Sequence, residues 1–351
     1  MEYNREVPDI SKEEMAIIVG ENIDRLCAVE MRPRMPTTGV FPALYDKTRE
    51  KYSHPLVYLA AKEIIKKTKE KDHVFILTGA GCPPRYPTGE SDGPPGAVAL
   101  ARALHLGLRL NPIIITEERN FEPIYGMAKE MGMNIIQPDE NFSSRTNPLM
   151  VIDFPAGKEK ANDSSIEIIK KYSPSAIIAV ERIGANTKGV YHSMKGFQID
   201  PNQFAYLDTL IELAREKNIL TISVGDNGNE LGCGIIMDTI QQVQPWGKIC
   251  QCPCQSGIAS SSIVDILVMA AVSNWGSYGI NAMLAYLLED ISLIHTERME
   301  EKMLEVCVQT GCVDGDLDIP SPSVDGISLE AQKAIVTLLR ETIIRALKVH
   351  P

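Results

Sequence analysis

The chain has 351 residues, 44% of them hydrophobic, so it can bury a sizeable core as one large α/β domain or two modest ones. A formal net charge of −11 without a basic stripe argues against nucleic acid as a partner. The most apolar run, Ile263–Val272, is too short to span a bilayer and contains Asp265, and Met1–Arg5 lacks the apolar core of a signal peptide, which together point to a cytoplasmic protein with no membrane partner.

In chain order, Ser11 and Glu14 form a capping box, and Met15, Ile18, Ile23 and Leu26 follow at helical spacing. A Pro-rich loop is expected around Pro33, Pro36 and Pro42, then a helix from about Ser53 to Lys69. This makes residues 1–70 a helical layer ahead of an α/β core at 71–351, within a single domain. The core alternates. Strands are expected at Val74–Leu77, Pro112–Thr116, Met150–Phe154, Ala176–Glu181, Ile219–Val224 and Ile263–Val272. Helices are expected at Gly96–Leu108, Glu122–Met131, Ser164–Lys171 and Gln203–Lys217, and Pro94-Pro95 suits a helix start. Helices near Tyr278–Leu288, Glu297–Val308 and Leu329–Val349 finish the chain. Continuous apolar strands alternating with helices predict a doubly wound, mostly parallel sheet with helices on both faces and extra terminal helices.

Four segments are too polar and glycine-rich to be core. Gly225–Gly232 packs two carboxylates, two carboxamides and three glycines into eight positions directly after a buried strand. At the carboxyl end of a strand in an α/β sheet, that composition points to a binding or catalytic loop. Thr78-Gly79-Ala80-Gly81 follows the first core strand and runs on to Glu90-Ser91-Asp92-Gly93. It lacks the dinucleotide and Walker patterns, and its carboxylates would repel phosphate unless a cation intervened. Glu181-Arg182 ends another strand, and Arg182 suits bidentate capture of a carboxylate. Gly311–Gly315 and Ser323–Gly326 repeat a Val-Asp-Gly turn. Asp314, Asp316 and Asp318 resemble the start of an EF-hand loop, but Ile319 and Asp325 break the pattern.

Eight cysteines in a chain read as cytoplasmic are expected to be free thiols. Cys250, Cys252 and Cys254 form a C-x-C-x-C cluster. Metal sites generally use C-x-x-C spacing and a fourth ligand, and no second pair answers this one, so the cluster is expected to be structural. His192, as a lone histidine, is read the same way.

Taken together, Glu90–Ala97, Val180–Arg182, Gly189–Tyr191, Gly225–Gly234, Ser273–Gly279 and the two Val-Asp-Gly turns resemble the D-glutamate cyclase family. The match is to its C-terminal domain, in the stand-alone prokaryotic form. The family pattern Gly-Asp-Gly-Gly-Asn-Glu-Ile-Gly-Met-Gly differs here at Asn227, Leu231 and Cys233. The resemblance implies a hydro-lyase that interconverts D-glutamate with 5-oxo-D-proline and water. It would use no organic cofactor, with a divalent cation such as Mn²⁺ or Mg²⁺ compatible with the chemistry.

On that reading Asp226, Glu230, Glu181 and Asp92 are the candidate catalytic carboxylates. Gly79, Gly81, Glu90, Gly93, Arg182, Tyr191, Asn227, Asn229 and Asn274 are the candidate substrate-binding residues. Asp226, Asn229 and Glu230 offer oxygen donors suited to a hard cation. Self-association into a homo-oligomer is compatible with the sequence. Two alternatives stand beside this reading: another small amino or hydroxy acid as substrate, or a non-catalytic small-molecule or nucleotide-binding protein.

Overall fold

The computed structural model describes residues 10–31, 39–81 and 83–348. Met1–Arg5, Pro33 and Pro36 lie outside these. The strands are β1 (His73–Thr78), β2 (Asn111–Thr116), β3 (Asn134–Ile136), β4 (Pro148–Asp153), β5 (Ala176–Val180), β6 (Leu220–Gly225) and β7 (Ile266–Met269). Among the described residues they form one sheet in the order β3-β4-β2-β1-β5-β6-β7, with every pairing parallel. β5 and β6 are buried along their whole length, as strands covered on both faces must be.

The helices are α1 (Lys12–Cys27), α2 (Val40–Lys51), α3 (Leu56–Lys67), α4 (Pro94–Leu108), α5 (Phe121–Glu130), α6 (Ala161–Tyr172), α7 (Asp208–Glu216), α8 (Met237–Val243), α9 (Ser273–Leu287), α10 (Glu297–Gln309) and α11 (Leu329–Lys348). The chain steps from β1 through α4 to β2 in one direction and from β5 through α7 to β6 in the other. Right-handed crossovers therefore put α4 and α7 on opposite faces of the sheet. α9 is buried from Ser273 to Tyr286 because α4, α3, α11 and α1 all pack around it. The N-terminal helices thus form an outer layer over α9 and β7.

The capping box at Ser11 forms as expected: Glu14 N–H donates to Ser11 Oγ at 3.2 Å, and Ser11 N–H to Glu14 Oε2 at 2.9 Å. α2 was not expected. Pro42 belongs to its first turn, where a missing N–H leaves no helical hydrogen bond unmade. β3 was also unforeseen, since three residues that include exposed Asn134 carry no strand signature. No described helix is long and apolar enough to cross a membrane.

Candidate active site

β1 is the point from which the chain winds left to β2 and right to β5. In such sheets ligands bind beyond the carboxyl ends of the strands near this switch. A cavity of about 540 Å³ lies there. Its floor holds Glu181 after β5, Asp226 after β6 and Ala271 after β7. Glu90 and Gly81 come from the long β1–α4 connection, and Asp325 from the late Val-Asp-Gly turn. Val40, Phe41, Ile183, Phe197 and Ile199 give it apolar walls.

The local backbone explains these positions. Glu181 follows β5 in the left-handed region, φ 45°, an uncommon conformation that turns the chain off the strand direction. Gly93, φ 99°, lets the chain pass beside it, since a Cβ there would stand 2.8 Å from Glu181 Cβ. Asp92 and Asn274 then cap each other's helices. Asp92 accepts the N–H groups of Ser273 (3.0 Å) and Asn274 (2.9 Å) at the start of α9. Asn274 Oδ1 accepts those of Gly93 (3.0 Å) and Gly96 (2.8 Å) at the start of α4. Both helix N-termini are satisfied by this exchange, and the positive end of α9 faces Asp92.

Asp92, Glu181 and Asp226 are all buried, and one carboxylate oxygen from each lies within 4.8 Å of the others. Ser273 Oγ donates to Glu181 Oε2 at 2.5 Å. Burial pushes the Glu181 carboxyl well above the ordinary carboxylate range, and the charges of Asp226, Glu230 and Asp92 push it further. Glu90 is raised by burial too, then by Asp325, Asp92, Asp314 and Glu230. So many carboxyls crowded out of water require protons or a cation among them.

Of the expected residues, Gly81, Glu90, Glu181, Asp226, Asn227 and Asn229 line the cavity, and Asp92 stands directly behind it. The others do different work. Arg182 is fully buried and does not reach the cavity. Its guanidinium grips Glu117 through two 2.8 Å bonds, donates to Gly79 O and Ala205 O at 2.7 Å, and lies over the Phe204 ring. It ties three strand ends together, and no donor pair is left for a substrate carboxylate. Burial works against the Glu117 charge, but Arg182 holds that carboxyl below its ordinary range.

Glu230 accepts the N–H groups of Asp226 (3.3 Å), Asn227 (2.8 Å) and Gly228 (2.6 Å). It is the internal brace of the loop and has no oxygen facing the cavity wall. Tyr191 donates its hydroxyl to Asp208 and packs on Phe204 and Tyr206, away from the cavity. Gly79 serves Arg182 through its carbonyl, Gly93 is a conformational hinge, and Asn274 is a cap.

Sequence reasoning did not single out Glu117, Ser273, Lys195, Arg85, Gln244 or Asp325 for the site. Arg85 and Lys195 are the cations lining the cavity among the described residues, and Arg85 is already paired with Asp318. Glu117 had a readable signal, as an acidic residue directly after β2. The Val-Asp-Gly echo also had one. Asp314 organises that turn by accepting from Asp316, Gly326 and Ser323, and so brings Asp325 to the cavity.

The donor set fits a hard divalent cation, but not the expected Asp226, Asn229 and Glu230. Backbone N–H groups hold both Glu230 and Asp92, but the oxygens that converge within reach of one ion are those of Asp92, Glu181 and Asp226. Asn229 Oδ1 is buried with no hydrogen-bond partner, so it remains an available acceptor on the same wall.

Two solved structures share slight likeness with the chain. One, "TcdA (CsdL)", is 10% identical and covers 73% of this chain and 100% of its own, with a TM-score of 0.27. The other, the E. coli tRNA N6-threonylcarbamoyladenosine dehydratase TcdA, is 11% identical over 72% of this chain and 99% of its own, also at 0.27. Likeness this low carries no argument. Among sequences, the human mitochondrial D-glutamate cyclase is 24% identical over 302 residues, covering 77% of this chain. The chain spans 46% of that relative's length. A family described as D-glutamate cyclase-like, C-terminal, matches residues 45–340, which include every cavity carboxylate after β1 and the strands that position them. The chain belongs to the D-glutamate cyclase-like, C-terminal family.

Proposed function

We propose that this protein is a hydro-lyase that interconverts D-glutamate with 5-oxo-D-proline and water. The observation that carries the reading is the convergence of Asp92, Glu181 and Asp226 at the strand ends, on a cavity sized for a small molecule.

Ring closure joins the α-amino nitrogen to the side-chain carboxyl carbon and expels water. The amine must lose a proton, the carboxylate must become electrophilic, and the departing oxygen must gain protons. Asp226 faces the cavity and is placed to accept the amine proton. Glu90 lines the same cavity, and burial beside other carboxyls raises its pKa and favours its protonated form, which suits a general acid for the departing oxygen. Lys195 offers a positive charge to a substrate carboxylate. The apolar walls favour a folded substrate with its reacting atoms close together and exclude competing water. Asp92, Glu181 and Asp226 would hold a Mn²⁺ or Mg²⁺ ion, which when bound would supply Lewis-acid polarisation of a carboxyl oxygen.

The test is product analysis with D-glutamate, L-glutamate and both 5-oxoproline enantiomers, with and without Mn²⁺. Interconversion of the D pair, lost in Asp226→Asn and Glu90→Gln, is the expected result. No interconversion under either condition overturns the proposal. One observation favours a second reading. Asn227, where the family pattern has glycine, lines the cavity and bonds Asp226 Oδ1 at 2.6 Å. An added amide beside the candidate base would suit a different small amino or hydroxy acid. Turnover of such an analogue in place of glutamate would establish it.

A further inference from the structure

We propose that His192, Cys250, Cys252 and Cys254 form a structural zinc site that fixes one wall of the cavity. Sequence spacing argued against a metal here because no fourth ligand was in view. The fold supplies it: His192 Nε2 lies 3.2 Å from Cys252 Sγ and 3.6 Å from Cys254 Sγ. Cys250 Sγ is 3.5 Å from Cys252 Sγ and 3.3 Å from Cys254 Sγ. All four donor atoms lie within 4.8 Å of one another. A tetrahedron with Zn–S of about 2.3 Å and Zn–N of about 2.0 Å has donors roughly 3.5–3.8 Å apart. The spacing fits that tetrahedron and is far longer than a disulfide bond of about 2.05 Å.

The surroundings complete the site. His192 Nδ1 sits 3.1 Å from Val190 O. A carbonyl only accepts, so Nδ1 carries the proton and the Nε2 lone pair is aimed at the sulfurs. Asn186 Nδ2 donates to Cys254 Sγ at 3.4 Å and to Gly257 O at 2.7 Å, which favours a thiolate and locks the loop. Four protein donors leave no open position, as in structural rather than catalytic zinc sites.

The position explains what such a site would do. Residues 181–207, between β5 and α7, and residues 244–265, between α8 and β7, contain no helix or strand. Connections this long inside a compact fold need fastening. Cys250, Cys252 and Ile258 form a small apolar cluster of their own with Val190, Met194 and Trp246, separate from the main core. Clusters of that size do not hold long loops unaided. A metal with one ligand from the first loop and three from the second would bolt them together. The first loop contributes Ser193 and Lys195 to the cavity, and the His192 carbonyl accepts from Asn229 Nδ2 at 3.0 Å.

The test is the metal content of the whole protein, purified without chelator, and its response to Zn²⁺ alone. The expected result is about one zinc per chain, with all four donors consumed. Exchange for Co²⁺ should give the strong visible absorption of a tetrahedral thiolate site. Chelation should lower the melting temperature, and Cys252→Ser should lose the metal and the cobalt spectrum. If that variant fails to fold, the wild-type cobalt spectrum and chelator-dependent melting carry the same decision. Reduced wild-type protein that takes up no Zn²⁺ and melts identically with and without it overturns the proposal. So does a Cys250–Cys254 disulfide in the purified protein that persists when Zn²⁺ is offered. These readouts are independent of turnover, so a failed glutamate assay leaves them intact.

Discussion

The carboxyl cluster under the cavity and the thiol–imidazole cluster behind its wall ask opposite things of protons. Glu90 and Glu181 are buried beside other carboxyls, and both the burial and those neighbouring charges favour their protonated forms. The thiols of Cys250, Cys252 and Cys254 must instead give up protons before a metal binds them. One cluster uses hard oxygens on a cavity, the other soft sulfur sealed by four protein donors. The fold puts both within reach of one loop, residues 181–207, which carries Glu181 and Lys195 on the cavity and His192 beside the cysteines.

The largest expected break comes from the carboxyl side. Asp226→Asn should lower kcat by about 10²–10⁴-fold, the usual worth of a positioned acid or base. The melting temperature should move little. Near-wild-type turnover would remove Asp226 from the reacting centre.

Next in size is Arg182→Ala, which strips buried Glu117 of its bidentate partner and leaves it only Arg119, 3.1 Å away, as a cation. It should cost about 3–5 kcal/mol in urea or guanidinium unfolding. A rise in KM with unchanged stability would instead return Arg182 to the substrate.

Gly93→Ala probes the seam between α4 and Glu181. Its φ of 99° and the 2.8 Å approach to Glu181 Cβ should cost about 1–3 kcal/mol. Activity should fall with stability because the same backbone aims Glu181.

The smallest effect contrasts the two clusters directly. A carboxyl raised in the folded state binds protons more tightly there than in the unfolded chain. The stability contributed by Glu90 and Glu181 is therefore complete below the unfolded value of 4.5 and is lost as pH rises through their folded values. Without divalent cation, melting temperature should drift down over that window. Glu90→Gln should flatten the drift, and Mn²⁺ should oppose it. Stabilisation by Zn²⁺ should have the other sign and weaken as pH falls. Melting curves across pH with each ion alone would show whether the two clusters respond separately.

Much of the fold was readable because its signals are local. Ile222 and Val224 sit in an apolar run that only a covered strand explains, and Ser11 with Glu14 marks a helix start within four residues. α2 escaped because Pro42 reads as a loop residue unless its place in a first turn is known. In the site, the polar glycine-rich loops after β1, β5 and β6 declared themselves by composition. Which of their side chains face the cavity did not. Arg182 looked available until Glu117 arrived from the end of β2, and Glu230 looked catalytic until its own loop's N–H groups closed on it.

The sequence alone determined the alternation of buried strands and helices, the polar glycine-rich loops at the strand ends and the family, because each is written in neighbouring residues. The tertiary structure decided the pairings: Asp92 with the start of α9, Arg182 with Glu117, His192 with three cysteines some sixty residues away. Those depend on strand order, and strand order is a property of how the whole chain buries its apolar surface, not of any one segment.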